Sequence, residues 1–239
     1  MSYPALSLDG RVAVVVGGTS GIGRAIALGL AEAGADVIAS ARGADNLETT
    51  AAEIEARGRR TLRVRSDVAD RGSLEALRDA VLAGFGRVDI LVNCAGRTQR
   101  TPTLDVGEAE WNGILDTNLT GTLRGCQAFG RPMLAQGYGR ILNIASLGSF
   151  VGLLEVAAYA ASKAGVASLT ASSRSSGAPA ACASTRSCPG CSAPRSTARC
   201  STARRAARSS CCARRCGGSA GSTSSPGRPC SSHPTAPAS

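Results

Sequence analysis

Aromatic side chains are scarce in this 239-residue chain, which has 3 Phe, 3 Tyr and 1 Trp, and its cations are almost all arginine, with one lysine, Lys163, among 27 basic residues. No apolar run approaches the roughly 20 residues that span a bilayer, and the N-terminus lacks the basic-then-apolar pattern of a secretory leader, so a cytoplasmic address is expected and no membrane partner. The scarcity is uneven. Residues 171–239 contain no Val, Ile, Leu, Met, Phe, Tyr or Trp and no acidic residue, but 10 Arg, 18 Ser and 8 of the 10 Cys. Residues 1–170 hold 17 basic and 17 acidic residues, so the net charge of +10 belongs entirely to residues 171–239. A segment of that composition buries too little apolar surface to offset roughly 1–2 kcal/mol of backbone entropy per ordered residue. Two domains are therefore expected: a folded 1–170 and a disordered, Ser/Arg/Cys-rich 171–239.

Within 1–170, strand-like and helix-like patterns alternate. Val12 to Val16 is an apolar, β-branched run, followed by the glycine-rich Gly17-Gly18-Thr19-Ser20-Gly21-Ile22-Gly23 and a helical pattern through Glu32. Asp36 to Ala41, Thr61 to Ser66, Ile90 to Asn93 and Arg140 to Ile144 read as further strands, separated by helices over about 45–57, 73–84 and 108–136. Continuous apolar strands between helices imply an α/β fold, a doubly wound parallel sheet of Rossmann type. Ligands of such sheets sit beyond the strand ends where the winding reverses, which is where the glycine loop falls. There Gly17 permits a tight exit, Gly21 lets backbone approach a phosphate, Gly23 allows close helix–strand packing, and the helix N-terminus attracts negative charge. A simple connecting turn is the alternative for the loop taken alone.

Ser146 follows the strand ending at Ile144, and Tyr159-Ala160-Ala161-Ser162-Lys163 begins another helical pattern 13 positions later. Tyr159 and Lys163, at i and i+4, share one helix face. A phenol ionises near pKa 10, so acting as a base at neutral pH requires roughly 4 kcal/mol of help, and a neighbouring ammonium has the right sign. Such a pair could exchange a proton with an alcohol or carbonyl oxygen, with Ser146 hydrogen-bonded to that oxygen and Asn118 behind it in a polar relay. An ordinary amphipathic pair is the alternative, but the only lysine in an arginine-using chain argues for a specific ammonium.

At this point residues 1–170 are identified as resembling the short-chain dehydrogenase/reductase family. Its loop pattern Thr-Gly-x-x-x-Gly-x-Gly matches Val16 to Gly23 with Val in place of the first Thr. Its Asp after the third strand matches Asp67 followed by Val68, and its Asn-Asn-Ala-Gly matches Asn93-Cys94-Ala95-Gly96, with Cys in the second place. The resemblance implies Asn118, Ser146, Tyr159 and Lys163 as catalytic residues. It implies cofactor contacts from Gly17, Thr19, Ser20, Gly21, Ile22, Gly23, Arg42, Asp67, Val68, Asn93, Ala95, Gly96, Tyr159 and Lys163. No metal is implied. Where the second strand ends, an acidic residue would bind a ribose 2′-hydroxyl, but Ser40-Ala41-Arg42 offers a guanidinium, so NADP(H) is expected over NAD(H); Asp45 remains a possible ribose ligand.

The resemblance stops near Thr170. If Ser173 to Ala178 is encoded TCG CGG TCG AGT GGG GC, a one-base regrouping reads Leu-Ala-Val-Glu-Trp-Gly, a family-like helix. The same shift turns Ala181 to Gly190 into Gly-Val-Arg-Val-Asn-Ala-Ile-Val-Pro-Gly, a family-like strand, and Arg228 to Thr235 into Ala-Ala-Val-Phe-Leu-Ala-Ser-Asp. A frame-shifted C-terminus is therefore expected. The sheet should then be truncated after the fifth strand, Arg140 to Ile144, leaving it as an edge. Cys188-Pro189-Gly190-Cys191 has dithiol spacing, but His233 stands alone and no four-ligand set is completed. The arginines could hold polyanions nonspecifically, with no aromatics for base stacking, so no specific nucleic-acid partner is expected.

The expected function is an NAD(P)(H)-dependent oxidoreductase interconverting a secondary alcohol and a ketone, closest to sugar-acid dehydrogenases or 3-oxoacyl-carrier-protein reductases. This chain should be impaired by its altered C-terminus, and its in-frame parent a homodimer or homotetramer. The alternative is a non-catalytic nucleotide-binding protein with a polyanion-binding tail.

Overall fold

Val12–Val16 form β1, and all five residues are buried, because their side chains alternate between two helical layers that cover both faces of the sheet. The computed structural model describes residues 7–175 and 182–187, which belong to the unit Met1–Ser192. The expected tail beyond residue 187, with its Cys188 to Cys191 pair, lies outside the described residues.

After β1 come α1 (Gly21–Glu32), β2 (Asp36–Ser40), α2 (Ala44–Glu55), α3 (Arg71–Phe85) and β3 (Ile90–Asn93). The chain continues through α4 (Glu108–Leu115), α5 (Gly121–Ala135), β4 (Gly139–Ile144), α6 (Ala157–Ser175) and β5 (Cys182–Ser187). The strands pair in parallel in the order β2-β1-β3-β4-β5. The winding therefore reverses between β1 and β3, and both open towards the glycine loop. Val12, Val14 and Val16 pack with Leu74, Leu77 and Phe129 from α3 and α5. Ala13 and Val15 face the other way, against Ala27 and Ala31 of α1 and Ile54 of α2. Each fully buried Val, Leu or Phe contributes about 1.5–3 kcal/mol of transfer free energy. The small alanines of α1 let that helix lie close to the sheet.

The structure modifies three sequence expectations. Thr61 to Ser66 runs beside β2 without joining the sheet ladder. The Val37 N–H donates to the Arg60 carbonyl at 3.1 Å and the Ser66 N–H to the Ala41 carbonyl at 3.2 Å. Between them the Ser40 hydroxyl takes the Val64 carbonyl at 2.5 Å, an acceptor that a ladder bond would otherwise use. The helical stretch 108–136 is broken by a π-helical turn, Asp116–Thr120, between α4 and α5. The sheet also continues past β4: Cys182–Ser187 pairs with Gly139–Ile144 over six positions, so β4 is not its edge. Parallel ladder bonds come from backbone and tolerate this segment's polar composition.

α3 illustrates how local chemistry sets the boundaries. Asp70 caps it, accepting from the Gly72 N–H at 2.9 Å, and Gly86 ends it in a left-handed conformation with φ 72°.

Candidate active site

The loop from β1 to α1 is shaped by close approaches that only glycine allows. A Cβ on Gly23 would lie 2.1 Å from the Gly17 carbonyl oxygen, and one on Gly17, whose φ is +81°, would lie 2.6 Å from the Ala95 nitrogen. The loop is thus pressed against the end of β3. Gly21 differs, because at φ +48° it has nothing within 4 Å of where a Cβ would stand, and it lines an open cavity of about 480 Å³. That open cradle at the N-terminus of α1 fits a dinucleotide phosphate. One wall of the cavity is Arg42, Asp67 and Val68, another Ala95 and Gly96, and its far end Tyr159 and Lys163.

Most of the residues implied as cofactor contacts meet in this cavity: Gly17, Ser20, Gly21, Ile22, Gly23, Arg42, Asp67, Val68, Ala95, Gly96, Tyr159 and Lys163 all line it. Thr19 and Asn93 stand behind the lining and are buried. Asn93 turns into the sheet, donating from Nδ2 to Asn143 Oδ1 at 2.8 Å. Asp67 accepts the Ala69 N–H at 2.9 Å through Oδ1, which orients its carboxylate at the cavity wall.

The four residues implied as catalytic lie on three elements. Asn118 sits in the π-helical turn and is fully buried. Its Oδ1 accepts the Arg97 N–H at 2.8 Å, and its Nδ2 donates to the Arg97 carbonyl at 2.9 Å and to Ser162 Oγ at 3.0 Å. Ser162 in turn donates to the Tyr159 carbonyl at 2.7 Å. Asn118 therefore ties the loop following Gly96 to the helix bearing Tyr159. Lys163 is buried to 5% exposure, donates from Nζ to the Ile144 carbonyl at 2.7 Å, and stands 5.9 Å from the centroid of the Tyr159 ring. Burial pushes the Lys163 ammonium below its ordinary pKa, and the nearby Cys94 partly opposes this. Burial raises the Cys94 thiol, against the pull of Lys163.

Ser146 begins a short 3-10 turn, Leu147–Ser149, and its Oγ accepts the Gly148 N–H at 3.2 Å while the Ser146 N–H donates to Ser149 Oγ at 3.3 Å. The hydroxyl uses an acceptor site on this turn, so its own hydrogen is left to donate. Downstream, Glu155 takes a left-handed φ of 61° and its carbonyl accepts the Thr101 N–H at 2.8 Å. This bond joins the loop after β3 to the approach to α6.

Sequence reasoning assigned no role to Ser162, Cys94 or Arg97. Ser162 had a readable signal, since its spacing of three from Tyr159 puts both on one helix face. Arg97 had none, because its place at the cavity follows from two bonds to a side chain 21 residues away. Among the described residues no group of three or more His, Cys, Asp or Glu could hold a metal ion, and no helix is long and apolar enough to cross a membrane.

A family model described as short chain dehydrogenase matches residues 11–204. The chain is 40% identical over 173 residues to a 2-dehydro-3-deoxy-D-gluconate 5-dehydrogenase of Escherichia coli, covering 71% of this chain and 67% of that one. It is 44% identical over 159 residues to a D-threitol dehydrogenase of Mycolicibacterium smegmatis, covering 66% and 61%. The chain thus spans about two thirds of the length of these relatives. A crystal structure of a metagenomic short-chain oxidoreductase in complex with NADP is 35% identical, with a TM-score of 0.72, covering 77% of this chain and 83% of that one.

Proposed function

The chain belongs to the short chain dehydrogenase family, and from that premise we propose that it is an NAD(P)(H)-dependent oxidoreductase interconverting a secondary alcohol and a ketone. One observation carries this reading: Tyr159 and Lys163 line the same cavity as Gly17, Gly21 and Gly23. A proton-transfer pair and a phosphate cradle thus share one groove. When bound, the nicotinamide cofactor supplies or accepts the hydride. In the reducing direction the Tyr159 hydroxyl gives its proton to the carbonyl oxygen. Lys163, anchored on the Ile144 carbonyl, stabilises the phenolate that this leaves. Ser146 donates its hydrogen to the same substrate oxygen. Asn118 acts as a positioning residue, through Arg97 and Ser162.

NADP(H) is proposed as the favoured cofactor, because Ala41 and Arg42 offer no carboxylate to a ribose and place a guanidinium at the cavity instead. The substrate class proposed is a sugar acid or a 3-oxoacyl group. Residues beyond Thr170 are proposed to be read in a shifted frame. In support, the two curated relatives align over 66–71% of the chain, about the share that precedes Ala171. This chain should then turn over more slowly than its in-frame parent, itself proposed as a cytoplasmic homo-oligomer, and sequencing the gene across codon 171 tests the frame directly.

The functional test is a Tyr159→Phe variant of the full chain, assayed with NADPH and a panel of ketones. Turnover should fall at least about 100-fold while NADPH binding survives. A chain that binds NADPH but is indifferent to this change would be a nucleotide-binding protein without catalysis.

A further inference from the structure

We infer that Arg124 is a positioning residue for the nucleotide, holding from behind the part of the cavity wall formed by Asp67 and Val68; this rests on the reading that the cavity takes a dinucleotide. That wall differs from the others. The loops leaving β1 and β3 grow out of strands that are paired on both sides. Asp67 and Val68 instead follow the extended segment Thr61 to Ser66, which lies outside the ladder. Its end is held by separate bonds. The Ser66 N–H donates to the Ala41 carbonyl at 3.2 Å, the Asp67 N–H to Ser73 Oγ at 3.0 Å, and Arg124 Nη1 to the Val68 carbonyl at 3.1 Å. Of these three, the bond from Arg124 is the one that reaches Val68.

The packing of α5 places Arg124 for this task. Gly121 lies so close to Val68 that a Cβ there would stand 2.8 Å from the Val68 Cβ. Residues three apart share a helix face, so the face that needs glycine at 121 presents the guanidinium at 124. The Arg124 side chain is 19% exposed, and its Nη1 makes a second bond, to Asp116 Oδ1 at 2.9 Å. That nitrogen has two hydrogens, so the carbonyl and the carboxylate take one each, and the group leaves Val68 only by disturbing its ion pair. Asp116 neutralises the cation, which makes its role one of placement and not of attracting phosphate. Asp116 also opens the π-helical turn that carries Asn118, and Thr117 of that turn lines the cavity. With the reacting ring at Tyr159 and Lys163 and the phosphates over Gly21, the wall at Val68 receives the adenosine half. Arg124 fixes that wall to the π-helical turn. Residue order carries no hint of this, because Val68 and Arg124 are 56 positions apart.

The test is calorimetric titration of the full chain with ADP, which covers the cradle and the adenosine wall, and with nicotinamide mononucleotide, which carries no adenosine; neither needs turnover. In Arg124→Gln the ADP affinity should fall about five- to tenfold, while nicotinamide mononucleotide binding stays within about twofold. Arg124→Lys, which keeps a charged donor, should fall between parent and Arg124→Gln. Gln127→Ala is the control: it cuts another bond from α5, to Arg71 Nη2 at 3.0 Å, without touching Val68, and should leave ADP affinity unchanged. If Arg124→Gln does not fold, Asp116→Asn decides, with an expected loss of about two- to threefold for ADP alone; no loss there overturns the assignment. Unchanged ADP affinity in a folded Arg124→Gln overturns Arg124 and leaves the dinucleotide reading standing. An equal loss of both ligands, or an equal loss in Gln127→Ala, also overturns it, since the residue would then serve the fold alone. A parent that binds neither ligand overturns the dinucleotide reading, and Arg124 with it.

Discussion

Lys163 donates from its buried ammonium to the main-chain carbonyl of Ile144 at 2.7 Å, so the last residue of β4 sets the position of the cation beside Tyr159. The link joins the sheet to α6 at the point where the proposed chemistry occurs. Its only side-chain requirement is a donor of lysine's length. Ile144 contributes through its backbone and is itself a core residue.

Lys163→Met should keep the fold and lower turnover by about 100-fold, measured against a circular-dichroism melt of the same variant. The pH dependence of stability gives a second check. Burial lowers the folded-state pKa of Lys163, so between that value and the unfolded value of about 10.4 the unfolded chain holds more protons than the folded one. Stability from this group therefore rises with pH across that window. The rise should disappear from the alkaline arm of the Lys163→Met stability profile.

Gly21 and Gly23 should respond to alanine differently, one mainly in nucleotide affinity and the other mainly in stability. Gly23→Ala puts a methyl group 2.1 Å from a backbone oxygen, a clash that forces the loop off the end of β3 and costs about 1–3 kcal/mol. Gly21→Ala meets no protein atom within 4 Å. Its backbone strain should cost about 1 kcal/mol, but its methyl group occupies the cradle, so nucleotide affinity should fall more than stability does. Urea melts paired with NADPH titrations separate the two, and equal behaviour of both variants would count against the cradle.

Asp89 anchors the lower end of the sheet. Burial alone would raise its carboxyl, but hydrogen bonds from Arg87, from the Val12 N–H and from Arg11 outweigh this and hold it below the usual carboxylate range. Its stabilising contribution is complete above the unfolded value of about 3.9 and is lost as pH falls through the lower folded value. Asp89→Ala should cost about 2 kcal/mol at neutral pH, largely by leaving the buried Val12 N–H without its acceptor. The deficit should shrink in acid, which denaturation at pH 7 and below pH 3 would show.

The Rossmann-type layering was legible because its cause is local. An unbroken Val run with alternating helices can bury itself only between two layers, and Gly17 to Gly23 has a composition that few turns require. Tyr159 and Lys163 were legible for the same reason, since one helical turn brings them to one face without help from the rest of the chain. Thr61 to Ser66 misled because strand propensity says nothing about a competitor for its carbonyls, and that competitor, Ser40, is 24 residues from Val64. The π-helical turn at Asn118 was hidden because one extra residue per turn leaves the apolar pattern of 108–136 almost unchanged.

Residue order alone determined most of the strands and helices, where charge accumulates, and that Tyr159 and Lys163 share one helix face, because each depends on neighbours within a few positions. Tertiary structure decided what those side chains face. It set Asn118 between Arg97 and Ser162, hung Lys163 on Ile144, and brought Arg124 against the Val68 carbonyl. These relationships arise from strands and helices far apart in sequence being packed to a common sheet, and a geometry set by that packing has no local signature to read.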